Sequence, residues 1–536
     1  MLRSCDLASL PHDLRRHLLL GFTGRPHLHA SAGVALRHSH RPGDDASVMA
    51  ADMLLAAWGE NPFDGYCVSA LAGSAEKLPP SPAELLPVMR AVLLHWRPEI
   101  TPEARTAMGG APEEQLAFLR KRLAETPDSL FWWHHLYEFS RITGDWGVLA
   151  SALTRSAPPD ELVPLFVYAR ANALLASGDA VAAAAMYIQC LDVLPLPVIE
   201  ERLASAWFRS GSEDRARALL AKCAADRPWN VSLRLRLRDL KLGGPSRTTM
   251  PEGRIMVLAY SWNKADDLAA TLDSLYESDL GESVAVRVLD NGSTDHTPEV
   301  LARFADRFGR ERVETIVLPV NAGAPAARNW LMNLPEVCEA EYAAYIDDDI
   351  FLPRDWLGRL GEAAKRYPDA VVWGCKVVDH SGPARVQCGE HNLTPDAEER
   401  KETLMSTLML QDGDFGQADY IRPCASVTGC VHLFRAERLL AGGGFDLRFS
   451  PTQYDDLERD LRMVLGGGYA VYTGHLAIPH KRRSGGMSEA GRPESANASA
   501  NLYKLMAKYS PAEFEAMAAH MDRVLFEDLE PGKAAE

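Results

Sequence analysis

The sequence predicts an all-α repeat region followed by an α/β domain on a mixed, mostly parallel sheet. Three observations carry that reading. Gly144-Asp145, Gly178-Asp179 and Gly211-Ser212 recur at spacings of 34 and 33 residues, each between two helical patterns. After the stretch Leu237 to Pro251, short Val/Ile/Leu runs alternate with helical patterns, as strands and crossover helices do. One of those runs, Ala343-Ala344-Tyr345-Ile346, ends in three aspartates, Asp347-Asp348-Asp349. Open parallel sheets hold their ligands beyond the strand C-termini, so this is the first place to look for chemistry.

Composition bounds the function. At 536 residues the chain is too long for one compact core, and about two to four domains are expected. A formal charge of −16 argues against nucleic acid or an anionic membrane as the main partner, while leaving room for a small basic phosphate pocket. No apolar run approaches the roughly 18–20 residues that cross a bilayer. His17-Leu18-Leu19-Leu20 is too short and too far along for a signal peptide. The protein therefore reads as cytoplasmic, free or peripheral at the inner membrane face. Nine cysteines include no C-x-x-C pair, which points to buried thiols in a reducing compartment rather than a zinc or redox site.

Taken in order, residues 1–128 read as helical but poorly defined. Ser47 to Ala57 and Pro87 to His95 look amphipathic, and His27, His29, His38 and His40 read as chance histidines of a polar loop. Residues 129–242 hold the repeats. A period near 34, glycine at the inter-helix turn and Pro195 and Pro228 closing two units together resemble the tetratricopeptide repeat, which implies a concave face able to hold a protein partner. Residues 243–251, with Gly243-Gly244-Pro245-Ser246, suit a linker.

Beyond the linker, Arg254 to Tyr260 reads as a buried strand, followed by the turn Ser261-Trp262-Asn263-Lys264 and a helix over Ala265 to Tyr276 striped by Leu268, Leu272 and Leu275. A second strand, Val284 to Leu289, ends in Asp290-Asn291-Gly292-Ser293-Thr294-Asp295. A third closes at Leu318-Pro319-Val320 and runs into Asn321-Ala322-Gly323, where a helix begins that carries Arg328 on its first turns. Then comes the aspartate strand. Alternation turns Asp347 and Asp349 to one side and Asp348 to the other, and carboxylates this close need a cation or solvent. The alternative is a solvated acidic turn capping a helix that starts near Pro353. No Gly-rich phosphate loop follows the first strand, which removes the main support for dinucleotide or Walker-type nucleotide binding.

The order of these motifs resembles the GT-A fold of family 2 inverting glycosyltransferases, over about residues 252–510. Val427-Thr428-Gly429, Phe434-Arg435 and Gly443-Gly444-Phe445-Asp446 resemble that family's acceptor-side segment. Tyr454-Asp455-Asp456-Leu457-Glu458-Arg459-Asp460-Leu461-Arg462 resembles its Glu-Asp-x-Asp-x-x-x-Arg pattern, departing at Asp455 and Glu458. Residues 511–536 add a C-terminal helix and tail.

The resemblance implies a nucleotide-sugar donor, a divalent metal (Mn2+ or Mg2+) and a glycan, lipid-carrier or protein acceptor. It implies metal ligation by Asp349 and His480, with Asp347 near the ribose or the metal's outer shell. Ser261, Asn263, Asp290, Arg328 and Asp348 would join Asp347 around the nucleotide, and Asp456 would act as general base. Asp455 and Asp456 also suit a helix N-terminus on electrostatic grounds alone. His475 competes with His480, but its apolar neighbours mark it as structural. Lys481-Arg482-Arg483 would meet diphosphate oxygens, and Gly485-Gly486 would form a flap. The competing reading is a repeat-scaffold binding protein with an inactive GT-A domain. A nucleotidyltransferase is a third, poorly matched by the Ser261–Lys264 turn.

Overall fold

The computed structural model describes residues 5–21, 24–382, 384–393, 405–407, 412–481 and 493–532. They divide into two compact units, one of Met1–Leu240 with Gln411–Ala418 and one of Lys241–Leu410 with Asp419–Ala535.

The first unit is all helix apart from its short excursion at 411–418. Three helix pairs occupy the predicted repeats: Leu130–Thr143 with Trp146–Arg155, Val163–Ala176 with Ala180–Cys190, and Pro197–Arg209 with Glu213–Asp226. Each pair turns on the anticipated glycine, with φ of 76° at Gly144, 91° at Gly178 and 81° at Gly211. That left-handed conformation ends one helix, and the next residue caps the following one. The Asp145 carboxylate accepts from Val148 N at 3.2 Å and that of Asp179 from Ala182 N at 3.0 Å. The buried amide of Asn172 donates across to Tyr137 Oη of the preceding pair (3.1 Å) and accepts from Tyr187 Oη within its own pair (2.8 Å).

Two expectations for residues 1–128 are corrected. The histidine loop is a helix, Arg25–Arg37, opened by Pro26 in its first turn; His27 and His29 lie inside it and His38 caps it. Leu28, Ala32, Val34 and Ala35 bury against neighbouring helices, which is what stabilises it. The helix Asp45–Glu60 is not amphipathic over its second half: Met53 to Gly59 is buried without a break, the mark of an internal helix.

Residues 411–418 lie within this helical unit. Phe415 is 4% exposed, its ring centroid 5.5 Å from that of Trp146 and 4.0 Å from the Arg202 guanidinium carbon. Arg209 donates to Asp414 Oδ1 at 3.1 Å.

The second unit is built on a mixed sheet. Its strands are β1 (Ile255–Ser261), β2 (Val284–Asp290), β3 (Val313–Val317), β4 (Tyr342–Ile346), β5 (Val372–Asp379), β6 (Arg385–Cys388), β7 (His391–Leu393), β8 (Met405–Thr407), β9 (Ile421–Cys424), β10 (Val431–Arg435) and β11 (Ala470–His480). Eight follow the order β9-β11-β5-β10-β4-β1-β2-β3; β6 pairs with β5, and β7 with β8 alone. β4, β1, β2 and β3 are mutually parallel, as are β5 and β11, whereas β10 runs antiparallel between β4 and β5. Parallel strands covered on both faces read as unbroken apolar runs, and β1, β2 and β4 are buried almost throughout. Helix Ala265–Tyr276 lays Leu268, Leu272 and Leu275 on this core as predicted. The end of the expected linker is not a free tether: Thr249 N donates to Gly358 O at 2.9 Å, fastening it to helix Trp356–Arg366. No helix among the described residues is long and apolar enough to cross a membrane.

Candidate active site

Three parallel strands end side by side, and their register sets the first half of the site. Ser261 pairs with Asp290 across β1 and β2, and Ala259 pairs with Ile346 across β1 and β4. Two residues past each of the latter, the Ser261 hydroxyl donates to Asp348 Oδ2 at 2.7 Å. Asp348 and Asp349 lie in the turn past β4 rather than on the strand, so the alternation expected of them does not hold: both carboxylates reach the ammonium of Lys264. Ligand atoms of Asp347, Asp349 and His480 lie within 4.8 Å of one another.

His480 reaches this group from the far end of β11, beside Ile350. Its Nε2 is 3.0 Å from Asp349 Oδ1, and its Nδ1 is 3.0 Å from Gln387 Oε1. The Gln387 amide nitrogen donates to Asp379 Oδ1 (2.7 Å) and to His480 O (3.0 Å), so its oxygen must face the ring. Nδ1 therefore carries a proton, and Nε2 is turned toward the carboxylates, within hydrogen-bond distance of Asp349. Outer hydrogen bonds orient metal-binding histidines in this way. Two carboxylates and an oriented imidazole are donors that a divalent cation could take.

Lys264, which the sequence reading did not single out, enters the same cluster. Its Nζ lies 2.9 Å from Asp348 Oδ1 and 2.8 Å from Asp349 Oδ2. The available signal was its place in the turn directly after β1. Burial opposes its charge, but the two carboxylates hold its pKa above the usual lysine value. Burial would raise Asp349, yet His480 and Lys264 keep it below the normal carboxylate range. Burial pushes Asp347 up to about 6, with Arg328 opposing and Asp349 and Asp348 adding to the shift. His480 is raised, burial being outweighed by its bond to Asp349.

The second half gathers around Asp455 and Asp456, the first residues of helix Asp455–Leu465. Arg328, on the buried face of helix Ala324–Met332, donates to Asp455 Oδ2 at 2.7 Å, reaches Gly429 O at 3.4 Å and lies 3.7 Å from Asp347 Oδ1. It bridges the two halves. Gly429 N donates to Asp456 Oδ2 and Leu457 N to Asp456 Oδ1, both at 2.8 Å. Asp455 is buried and spent on the arginine; Asp456 is half-buried. Burial would raise Asp456, but Arg328, His432 and the two backbone amides hold it below its ordinary value, so it is ionised near neutrality. Burial raises Asp455 against the pull of Arg328.

Asp290 and Asn263 organise the loops beside Ser261. Asp290 Oδ1 accepts from Ser293 N at 2.8 Å, and Asn263 Oδ1 accepts from Thr294 N at 2.7 Å. Among the described residues, positive φ outside glycine occurs at Asn263 (52°), Gln453 (78°) and Tyr454 (69°), all beside these groups. Such backbone costs about 1–3 kcal/mol per residue and persists only where its surroundings enforce it. His475, the competing histidine, accepts from Arg359 through its carbonyl at 2.8 Å, and His480 alone joins the acidic cluster. Lys481 is described, whereas Arg482, Arg483, Gly485 and Gly486 lie outside the described residues.

The glycosyl transferase family 2 model matches residues 257–422. Residues 257–422 therefore carry a glycosyltransferase domain of that family. The match ends before Asp455, Asp456 and His480, which join the site through the fold alone. Among solved structures, the chain is similar to the mannosyltransferase PcManGT from Pyrobaculum calidifontis in complex with GDP-Man and Mn2+, at 18% identity over 57% of this chain and 80% of that one, with a TM-score of 0.37. It is similar to GalNAc-T7 with UDP, GalNAc and Mn2+ at 12% identity over 52% of this chain and 55% of that one, with a TM-score of 0.37. It is similar to S. aureus TarS 1-349 at 15% identity over 51% of this chain and 72% of that one, with a TM-score of 0.35. No curated protein matches the chain.

Proposed function

We propose that the family 2 glycosyltransferase domain of this chain moves a sugar from a nucleotide-diphosphate donor to an acceptor hydroxyl with inversion, assisted by Mn2+ or Mg2+. One observation supports this above the others. A cation-ready cluster, Asp347, Asp349 and His480, is joined through Arg328 to a pair of aspartates of which one is held down and the other left accessible.

When bound, the cation would offset negative charge on the departing diphosphate. Asp349 and His480 would hold it, with Asp347 alongside. Ser261 and Lys264 keep Asp348 and Asp349 in register, and Asp290, Asn263 and Ser261 line the side where the nucleotide would lie. Asp456 is the general base. Each of its oxygens accepts one backbone N–H and retains lone-pair capacity for an acceptor proton. Arg328 occupies Asp455 and so leaves the proton to Asp456. One displacement at the anomeric carbon by a hydroxyl deprotonated in place inverts configuration. The acceptor is a glycan, lipid carrier or protein, and the helical repeats favour a protein or other large assembly. The protein would work in the cytoplasm or at the inner membrane face.

The test is a screen of UDP-, GDP- and dTDP-sugars for thermal stabilisation with manganese, followed by donor hydrolysis with and without chelator. Stabilisation and turnover that both vanish on chelation are expected. Stabilisation without turnover under any condition would instead favour a binding scaffold.

A further inference from the structure

We propose that Asn501 is a positioning residue for the general base, acting through the loop that presents Asp456; the role rests on the assignment of Asp456 given above. The loop runs from Phe449 to Gln453 and enters helix Asp455–Leu465 through Tyr454, with Gln453 and Tyr454 both left-handed. Neither residue type favours that conformation, so something outside the loop must impose it.

Asn501 supplies the constraint. It is fully buried on helix Pro493–Lys508, and the two hydrogens of its Nδ2 are shared among Phe449 O (2.9 Å), Thr452 O (2.9 Å) and Gln453 O (3.1 Å). Its Oδ1 accepts from Lys504 Nζ at 2.8 Å, which settles the orientation of the amide. One turn earlier, Asn497 Nδ2 donates to Thr452 O at 2.8 Å. On the next turns Lys504 reaches Arg448 O at 2.8 Å, and Lys508 reaches Asp446 Oδ2 at 2.7 Å. Asn497, Asn501, Lys504 and Lys508 follow the 4-3-4 spacing of a single helix face, and all four reach the segment before the base, Lys508 also pairing with Glu458 just after it.

From the opposite side, Ala324 N donates to Pro451 O at 2.7 Å. The carbonyls of 449, 451, 452 and 453 are thereby all engaged, and none depends on water. Helix Ala324–Met332 also carries Arg328, which pins Asp455. The strained entry to the base is gripped between that helix and the Asn501 face. A buried asparagine that merely closed a loop would not need three carbonyls of the one loop whose last residue is strained and abuts the base pair.

The test uses the full chain with Asn501→Asp, which keeps shape and the acceptor for Lys504 but removes the donors. Hydrolysis of whichever UDP-, GDP- or dTDP-sugar gives the highest wild-type rate should fall about tenfold or more, since small displacements of a catalytic group cost that much. The corresponding nucleoside diphosphate should bind with manganese within about twofold of wild type, and the acidic limb of the hydrolysis pH profile should move. A rate within about twofold of wild type, or a loss with an unmoved acidic limb, overturns the proposal. If Asn501→Asp does not fold, Asn497→Ala removes one bond from a half-buried position. It should lose about two- to fivefold with the same displacement of the limb, and unchanged kinetics overturn the proposal equally. Asp456→Asn, run in parallel, separates the two assignments: wild-type turnover there removes Asp456 as base whatever Asn501 does.

Discussion

Asp455 and Asp456 are adjacent carboxylates with different environments, and the difference makes their roles separable. Asp456→Asn should leave manganese-dependent nucleotide binding near normal and lower turnover by about 100-fold or more, the range for losing a general base. Asp455→Asn leaves Arg328 buried without its closest counter-ion, so it should cost stability first, on the order of 3 kcal/mol in a urea melt. Equal stability of the two variants would contradict this division. Asp460, one turn further along the helix, offers a pH test. It is fully buried, burial pushes it up to about 7, and Ser426 Oγ donates to its Oδ2 at 2.7 Å while its Oδ1 finds no partner. Between pH 4 and 7 the folded state keeps a proton that the unfolded chain releases, so this group makes stability fall as pH rises, by up to a few kcal/mol. Asp460→Asn should flatten that part of the stability profile; an unchanged slope between pH 4 and 7 would count against it. Strand-end groups such as Ser261, Asp290 and Asp347–Asp349 were legible because a strand terminus puts its next side chains at the ligand edge. Lys264, Gln387 and Asn501 were not, because their roles come from partners 84 or more, 93 and about 50 residues away, which no local pattern encodes.

Elements carry the next level of the argument, and glycine positions expose it. Gly178 and Gly323 both have positive φ, 91° and 86°, but Gly323, with ψ of 162°, sits in a region that glycine alone adopts readily. A Cβ on Gly178 would meet nothing within 4 Å, whereas one on Gly323 would lie 3.1 Å from Ser450 Oγ and 3.2 Å from Pro451 O. Gly178→Ala should therefore cost only the left-handed strain, about 1–2 kcal/mol, with turnover unchanged. Gly323→Ala should pay its own backbone strain and also push the Phe449–Gln453 loop, so donor hydrolysis should fall at least several-fold with nucleotide binding retained. Matched losses of activity in the two variants would mean that the loop is not what Gly323 protects. The repeat turns were readable because glycine followed by a capping Asp or Ser is a local signal. Strands β1 and β2 matched their apolar runs to within a residue for the same reason. The histidine helix was misread because burial of Leu28, Ala32 and Val34, rather than propensity or periodicity in a short window, makes Arg25–Arg37 helical.

At the scale of the whole chain, the least legible feature is the excursion of Gln411–Ala418 into the helical unit. Asp414 to Gln417 form a polar turn: Phe415 N donates to Gln417 Oε1 at 2.8 Å and Gly416 N to Asp414 Oδ1 at 2.9 Å. What the sequence hides is that this turn presents a phenylalanine to Trp146 and Arg202, so that part of the helical unit's core arrives from a segment about 170 residues beyond its last helix. Phe415→Ala should destabilise the helical unit by about 3–5 kcal/mol, the usual cost of emptying an aromatic site. For a unit of this size that lowers its unfolding transition by roughly 10 °C. Hydrogen exchange should speed up in helices Leu130–Thr143 and Pro197–Arg209, which hold Trp146's neighbours and Arg202. Donor hydrolysis at 25 °C should be unaffected, because no group assigned to the chemistry touches Phe415. In a double-mutant cycle with Trp146→Ala, the ring pair should show about 0.5–1.5 kcal/mol of coupling. A melt indistinguishable from wild type would show that residues 411–418 rest on the helices without contributing to their core.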